Sequence, residues 1–157
     1  MQNITYLIIS LADELFGIRV EHVIEAIEPS EITAVPNTAP YIKGITNFRG
    51  DILTVIDMRT KFNMPLTPLT SDNVIVVLEF QYDKKRITLG AIADAVNDVA
   101  EFNFAEIADL PAIGTKYNTE FIEGLVRRNN EFVVLLNTPK IFSVDEITII
   151  TESGIKK

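Results

Sequence analysis

Apolar and β-branched residues fall in short blocks along this chain, and the polar residues between the blocks set the predicted elements. Ile4 to Leu11 and Leu15 to Val20 flank the polar turn Ala12 to Glu14, which predicts a β-hairpin. From Glu21 the spacing changes: Val23, Ile24 and Ile27 fall at helical intervals behind early acids, and Pro29 closes the segment, so a short helix is expected there. Pro29 to Pro40 holds three prolines and reads as an extended loop that leads into strands around Ile45 and Ile52. Met58 to Phe62 is expected to make a single helical turn. After a linker from Asn63 to Ser71, Val74 to Tyr82 and Arg86 to Ala93 predict a second hairpin across the charged turn at Asp83 to Lys85. A last hairpin turns at Asn129 and Asn130, since Asn tolerates positive φ, and a helix is expected near Thr138 to Ser143.

The pattern is used twice. The segment FIEGLVRRNNEFVVLLNTPKIF from Phe121 lies without a gap on YIKGITNFRGDILTVIDMRTKF from Tyr41. Ile42 and Ile122, Gly44 and Gly124, and Phe62 and Phe142 coincide, while Ile52, Leu53, Val55 and Ile56 match Phe132, Val133, Leu135 and Leu136. Earlier in each half, Phe16, Gly17, Ile18 and Val23 are spaced like Leu89, Gly90, Ala91 and Val96. A β-rich module present in two copies accounts for both matches. Two small antiparallel barrels packed together fit it, because closing a sheet removes exposed strand edges. If the halves are related by an approximate twofold, Val23 and Val96 lie near the seam between them, where an apolar groove can take a helix.

Composition narrows the function. A chain of 157 residues suits one globular domain or two small subdomains sharing a core. With no cysteine it has no disulfide and no thiolate metal site, which fits a reducing cytosol. A net charge of -8 argues against nonspecific attraction to nucleic acid or anionic lipid. The apolar runs Val74 to Leu78 and Phe132 to Leu136 fall far short of the roughly 18 to 20 residues a membrane helix needs. Near the start, YLIISLA has no preceding Lys or Arg and is followed by Asp13 and Glu14, so it reads as a first strand and not as an export signal.

The inventory for catalysis is poor. His22 is the single histidine and reads as a surface residue; no serine stands in a G-x-S-x-G elbow, and no glycine pattern makes a phosphate cradle. Asp57 and Asp94 each follow an apolar run; a pair of carboxylates in one cleft would serve a small metal-dependent enzyme, whereas an Asp after a strand commonly caps the next turn. Arg49, Gly50 and Asp51 spell an adhesion tripeptide that carries little weight by itself. Gly50 more simply supplies positive φ. Arg49 has two readings open, an anchor tying the turn to neighbouring carbonyls and carboxylates, or a contact for a partner.

GITNFRGDILTVIDMR, from Gly44 to Arg59, resembles the signature of CheW-type chemotaxis coupling proteins, G-[IV]-x-N-x-R-G-x-[IV]-x-x-[IV]-D-[LM]-R. The strand pair with Phe16 to Ile18, the VIEAIE segment, the ITAVPNTAPYIKG loop and the later GAIADAV and FIEGLVRR follow the family's order over nearly the full chain. Thr54, Phe48 and Ala93 depart from the usual Pro, Leu and aliphatic residue. The resemblance implies a single domain over residues 1–157, mainly β, of two five-stranded SH3-like barrels with a few short helices. Approximate subdomains span 14–71 and 72–137, with the N-terminal strand and the C-terminal helix completing the pair. It implies a cytoplasmic, non-enzymatic adaptor without a cofactor, recruited to receptor arrays, that links the regulatory domain of the histidine kinase CheA to the cytoplasmic tip of chemoreceptors. A coupler of a type-IV-pilus or other non-flagellar system would share the fold. Receptor contact would involve Val23, Glu25, Arg49, Gly90, Val96 and Val99, and kinase contact Ile42, Lys43 and Gly44. The second barrel would offer a surface for self-association in arrays.

Overall fold

The computed structural model describes residues 2–29, 31–36, 39–62, 64–65, 68–109, 119–142 and 146. Ten strands form two five-stranded sheets. In chain order they are β1 (Asn3–Leu11), β2 (Glu14–Arg19), β3 (Val23–Ile27), β4 (Ile42–Phe48), β5 (Asp51–Ile56), β6 (Val74–Tyr82), β7 (Lys85–Ala93), β8 (Ala95–Asn103), β9 (Ile122–Arg128) and β10 (Glu131–Leu136). One sheet runs β8-β1-β2-β10-β9 and the other β3-β6-β7-β5-β4. Four hairpins turn on paired left-handed residues: Ala12 and Asp13, Arg49 and Gly50, Asp83 and Lys84, Asn129 and Asn130. Positive φ at both central positions matches the right-handed twist of the flanking strands.

The continuous apolar runs are explained by burial on both strand faces. Tyr6, Ile8, Val133 and Leu135 fill a cluster inside the first sheet, and Leu53, Val55, Ile75 and Val77 fill one inside the second. Their alternate neighbours Leu7, Ile9, Val134, Leu136, Ile56, Val76 and Leu78 point into a third cluster shared by both sheets. There the two halves interlock reciprocally: Phe62 packs on Phe121 at 5.3 Å, and the matching pair Tyr41 and Phe142 meets at 6.3 Å.

The repeat holds residue by residue in the ladders. Gly44 faces Val55 and Gly124 faces Leu135, with a bulge at the same place in each pair. Val55 pairs in parallel with Gly90, and Leu135 with Gly17. Val23 faces Leu78, and Val96 faces Ile9. The sheets nevertheless do not follow the expected division into 14–71 and 72–137. The strand after β2 crosses to pair with β6, and the strand after β7 crosses back to pair with β1. Each sheet thus combines a hairpin from one copy of the repeat with three strands from the other.

Two elements differ from expectation. The helix from Glu21 shrinks to a 3-10 turn at Val20–His22, and Val23–Ile27 is strand β3. A bulge between Val23 and Glu25 breaks the period of two and leaves apolar residues at spacings that imitate a helix. Strand β8 is not predicted from the sequence because it is a bulged edge strand, and Val96, Val99 and Phe102 recur every third residue. At the C-terminal end a 3-10 turn covers Thr138–Lys140, and Ser143 lies outside the described residues. Among the described residues no helix is long and apolar enough to cross a membrane.

Candidate functional site

The hydrogen-bonded ladders leave β3 and β4 as the edges of one sheet and β8 and β9 as the edges of the other. An arginine clasps each open side. Arg49, in the turn after β4, pairs with Glu25 on β3. Arg128, at the end of β9, sends Nη1 to Asp98 on β8 at 2.8 Å. Glu25 and Asp98 are repeat partners, so the two clasps are equivalent, although the arginine moves by one residue between copies. Arg128 holds the Asp98 carboxyl below its usual range through that hydrogen bond.

The Asn and Arg of the Gly44–Arg59 segment now have local explanations. Asn47 Oδ1 accepts the Gly50 N–H at 3.1 Å, which fixes the turn. Arg49 adopts φ 53°, spans to Glu25, and lays its guanidinium over the Phe48 ring at 4.8 Å from the centroid. Its anchor role is therefore visible in the structure, and the guanidinium remains two-thirds exposed.

Around this clasp the predicted contact residues separate by exposure. Val99 is 57% exposed on the edge strand β8. Val23 and Val96 are half-buried and pack on the shared core; Val96 also lines a depression of about 360 Å³ with Ala26, Ile27, Val74 and Ala95, which joins β3 to β8. Val23 is not among the residues lining it. Gly90 is buried: a Cβ there would meet Ile75 at 2.7 Å and Leu53 at 3.1 Å, so this glycine allows close packing inside the sheet and presents nothing to a partner. Of the three kinase-contact candidates, Lys43 is exposed, Ile42 belongs to the shared core, and Gly44 lies beneath the Thr33 backbone.

The two aspartates have structural partners. Asp57 Oδ1 accepts the Arg59 backbone N–H at 3.0 Å and Nε at 2.9 Å, and Oδ2 accepts Nη2 at 2.7 Å, with both residues buried. Asp94 accepts the Ala12 N–H at 2.7 Å and the Asn73 side-chain amide at 3.2 Å. Capping and ion pairing thus occupy the carboxylates that a metal-dependent reaction would need. His22 is half-buried, and burial pushes its imidazole below the ordinary pKa. Sequence reasoning missed the exposed aromatics Phe132 and Phe104, 59% and 66% exposed, because Phe132 opens an apolar run that reads as core.

Comparison with known proteins agrees with this architecture. The family model described as the CheW-like domain matches residues 5–146. The "Chemotaxis protein CheW" of Klebsiella aerogenes is 30% identical over 145 residues, covering 92% of this chain and 85% of its own length. That of Treponema pallidum is 27% identical, covering 87% and 81%. Among solved structures, the scaffolding protein TtCheW from Thermoanaerobacter tengcongensis superposes with a TM-score of 0.79 at 28% identity, over 93% of this chain and 92% of that one.

Proposed function

Because the chain belongs to the CheW-like domain family, we propose that it works as a chemotaxis adaptor between the regulatory domain of histidine kinase CheA and the cytoplasmic tip of a chemoreceptor. The observation that carries this reading is the surface at the Arg49–Glu25 clasp and strand β8. Val99 is exposed on β8, Val96 lines a shallow depression between β3 and β8, and the Arg49–Glu25 pair faces solvent on β3. A helical partner that buries Val99 gains apolar area, and one that reaches the clasp adds a charge-assisted contact.

The mechanism is positional. An adaptor adds no bond-making group; it shifts the kinase's conformational equilibrium only by touching its two states differently. On the kinase side Lys43 makes the direct contact, while Ile42 and Gly44 set the shape of the strand that presents it. Exposed Phe132 on β10 and Phe104 in the turn after β8 suit self-association in arrays. In the cell the adaptor is cytoplasmic and gathers at receptor arrays through these contacts.

The test is reconstitution with the cognate kinase regulatory domain and a receptor cytoplasmic fragment. Val99→Asp is expected to weaken receptor capture by about tenfold or more while the urea midpoint stays within error, since an exposed edge residue contributes little to folding. Unchanged capture by the variant removes this surface from the reading.

A further inference from the structure

The two copies of the repeat differ on their outer surface more than in their ladders. In the second copy Arg127 on β9 stands directly opposite Phe132 on β10, and directly opposed residues share one face of a sheet. On the other side of β10 runs β2, where Leu15 pairs with Val133, so Asp13 and Glu14 flank Phe132 from that side. Asp13, Glu14, Glu131 and Phe132 line a shallow depression of about 250 Å³. From β9 across β10 to β2 the surface therefore presents a cation, a ring that is 59% exposed, and a group of carboxylates.

The fold itself requires none of this. The first copy builds the same strand pair with Asn47 opposite Ile52, and the counterpart of its partner's Ala12–Asp13 turn is Asp83 and Lys84. Cation, aromatic ring and acidic turn thus occur together in one copy only. Inside the chain these charges have little to hold: Arg127 meets the Asn130 amide oxygen at 3.4 Å, and neither Arg127 nor Asp13 has an ion pair among the described residues. Aromatic residues and arginine are the side chains enriched where protein surfaces meet.

We propose that a second copy of this chain occupies this surface, in a twofold dimer whose two rows meet in reverse order. Phe132 then packs on Phe132 of the partner subunit, and each Arg127 lies against the acidic turn of the other copy. A row with opposite charges at its two ends is complementary to its own reverse, which is what an isologous contact requires. Ring on ring gives the centre its attraction, and the outer ion pairs set the orientation. The pairing rests on the self-association proposed above for Phe132 and adds its symmetry and its charged contacts. It makes no use of Val99, Arg49 or Lys43.

The test is sedimentation equilibrium of the chain alone, without kinase or receptor, so that its outcome is independent of the coupling role. A monomer–dimer equilibrium with a dissociation constant of roughly 100 μM is expected, as suits a small contact. Phe132→Glu should weaken pairing by about tenfold or more at an unchanged urea midpoint, because the side chain is exposed. Arg127→Glu and Asp13→Lys should each weaken it as well. An equimolar mixture of those two variants, or one chain carrying both changes, should recover pairing, since either restores opposite charges at both ends of the row. Lysine is accommodated at that turn position: Lys84 adopts φ 66° in the counterpart turn, against 65° for Asp13. A chain that stays monomeric at about 1 mM, a dimer that survives Phe132→Glu, or a mixture that pairs no better than its components overturns the proposal.

Discussion

Arg49 occupies a left-handed turn position that costs a side-chain-bearing residue about 1 kcal/mol, and its counterpart in the second copy is Asn129, which tolerates that conformation better. Against this cost stand an exposed ion pair worth about 0–1 kcal/mol and a cation–π contact of about 0.5 kcal/mol. The terms nearly cancel, so Arg49→Gly is expected to shift stability by less than about 1 kcal/mol. Receptor capture, by contrast, should fall clearly; urea unfolding and capture measured on the same preparation separate the two. His22 gives a pH prediction at the same scale. Its folded-state pKa lies below the unfolded value, so on acidification the unfolded chain takes up the proton first. Stability from this group is complete above the unfolded pKa and is lost as pH falls toward the folded one. His22→Gln should flatten the decline in urea midpoint between about pH 7 and pH 5, a range set by the ordinary histidine pKa. An unchanged slope would assign the decline to carboxylates.

At the scale of elements, both outer edges beyond the hairpins are covered by short bridges, Thr33 to Ile45 on β4 and Ala108 to Leu125 on β9. Such cover protects a sheet from edge-to-edge association. Gly44 makes room for it: any Cβ there would sit on the Thr33 carbonyl, whose oxygen accepts the Ile45 N–H at 2.8 Å. Gly44→Ala is therefore expected to cost about 2–4 kcal/mol in urea unfolding, and a loss of kinase contact by that variant reports a displaced bridge. The strands flanked by clear turns, such as β6 and β7, were legible in the sequence because propensity and pattern agreed there. The elements that were not legible, β3 and β8, are bulged edge strands whose partners lie in the other copy of the repeat, and no local signal encodes a distant partner. The site was legible to the same extent. Val99 and Arg49 are exposed, whereas Gly90 and Ile42 are matched positions whose burial only the packing reveals.

For the molecule as a whole, the shared cluster and the crossing strands make the two sheets interdependent. Residues 2–71 lack the partners of β1, β2 and β3 that come from the second copy, and residues 72–157 lack the reciprocal set. Expressed alone, neither fragment should give a native circular-dichroism spectrum, whereas the mixture should recover it. The intact chain should unfold in one transition. A folded single fragment would contradict the interleaved topology. The crossing strands also bear on ancestry. A homodimer of half-length subunits, each lending its first hairpin to the other, would have this pairing scheme, and joining the two end to end through residues 63–71 would give one gene with the present order of elements. After such a fusion the two copies no longer had to stay identical. One kept or gained an internal arginine at position 59 while the other acquired Pro139, so a symmetric ancestor's duplicated surface became two surfaces that evolve separately.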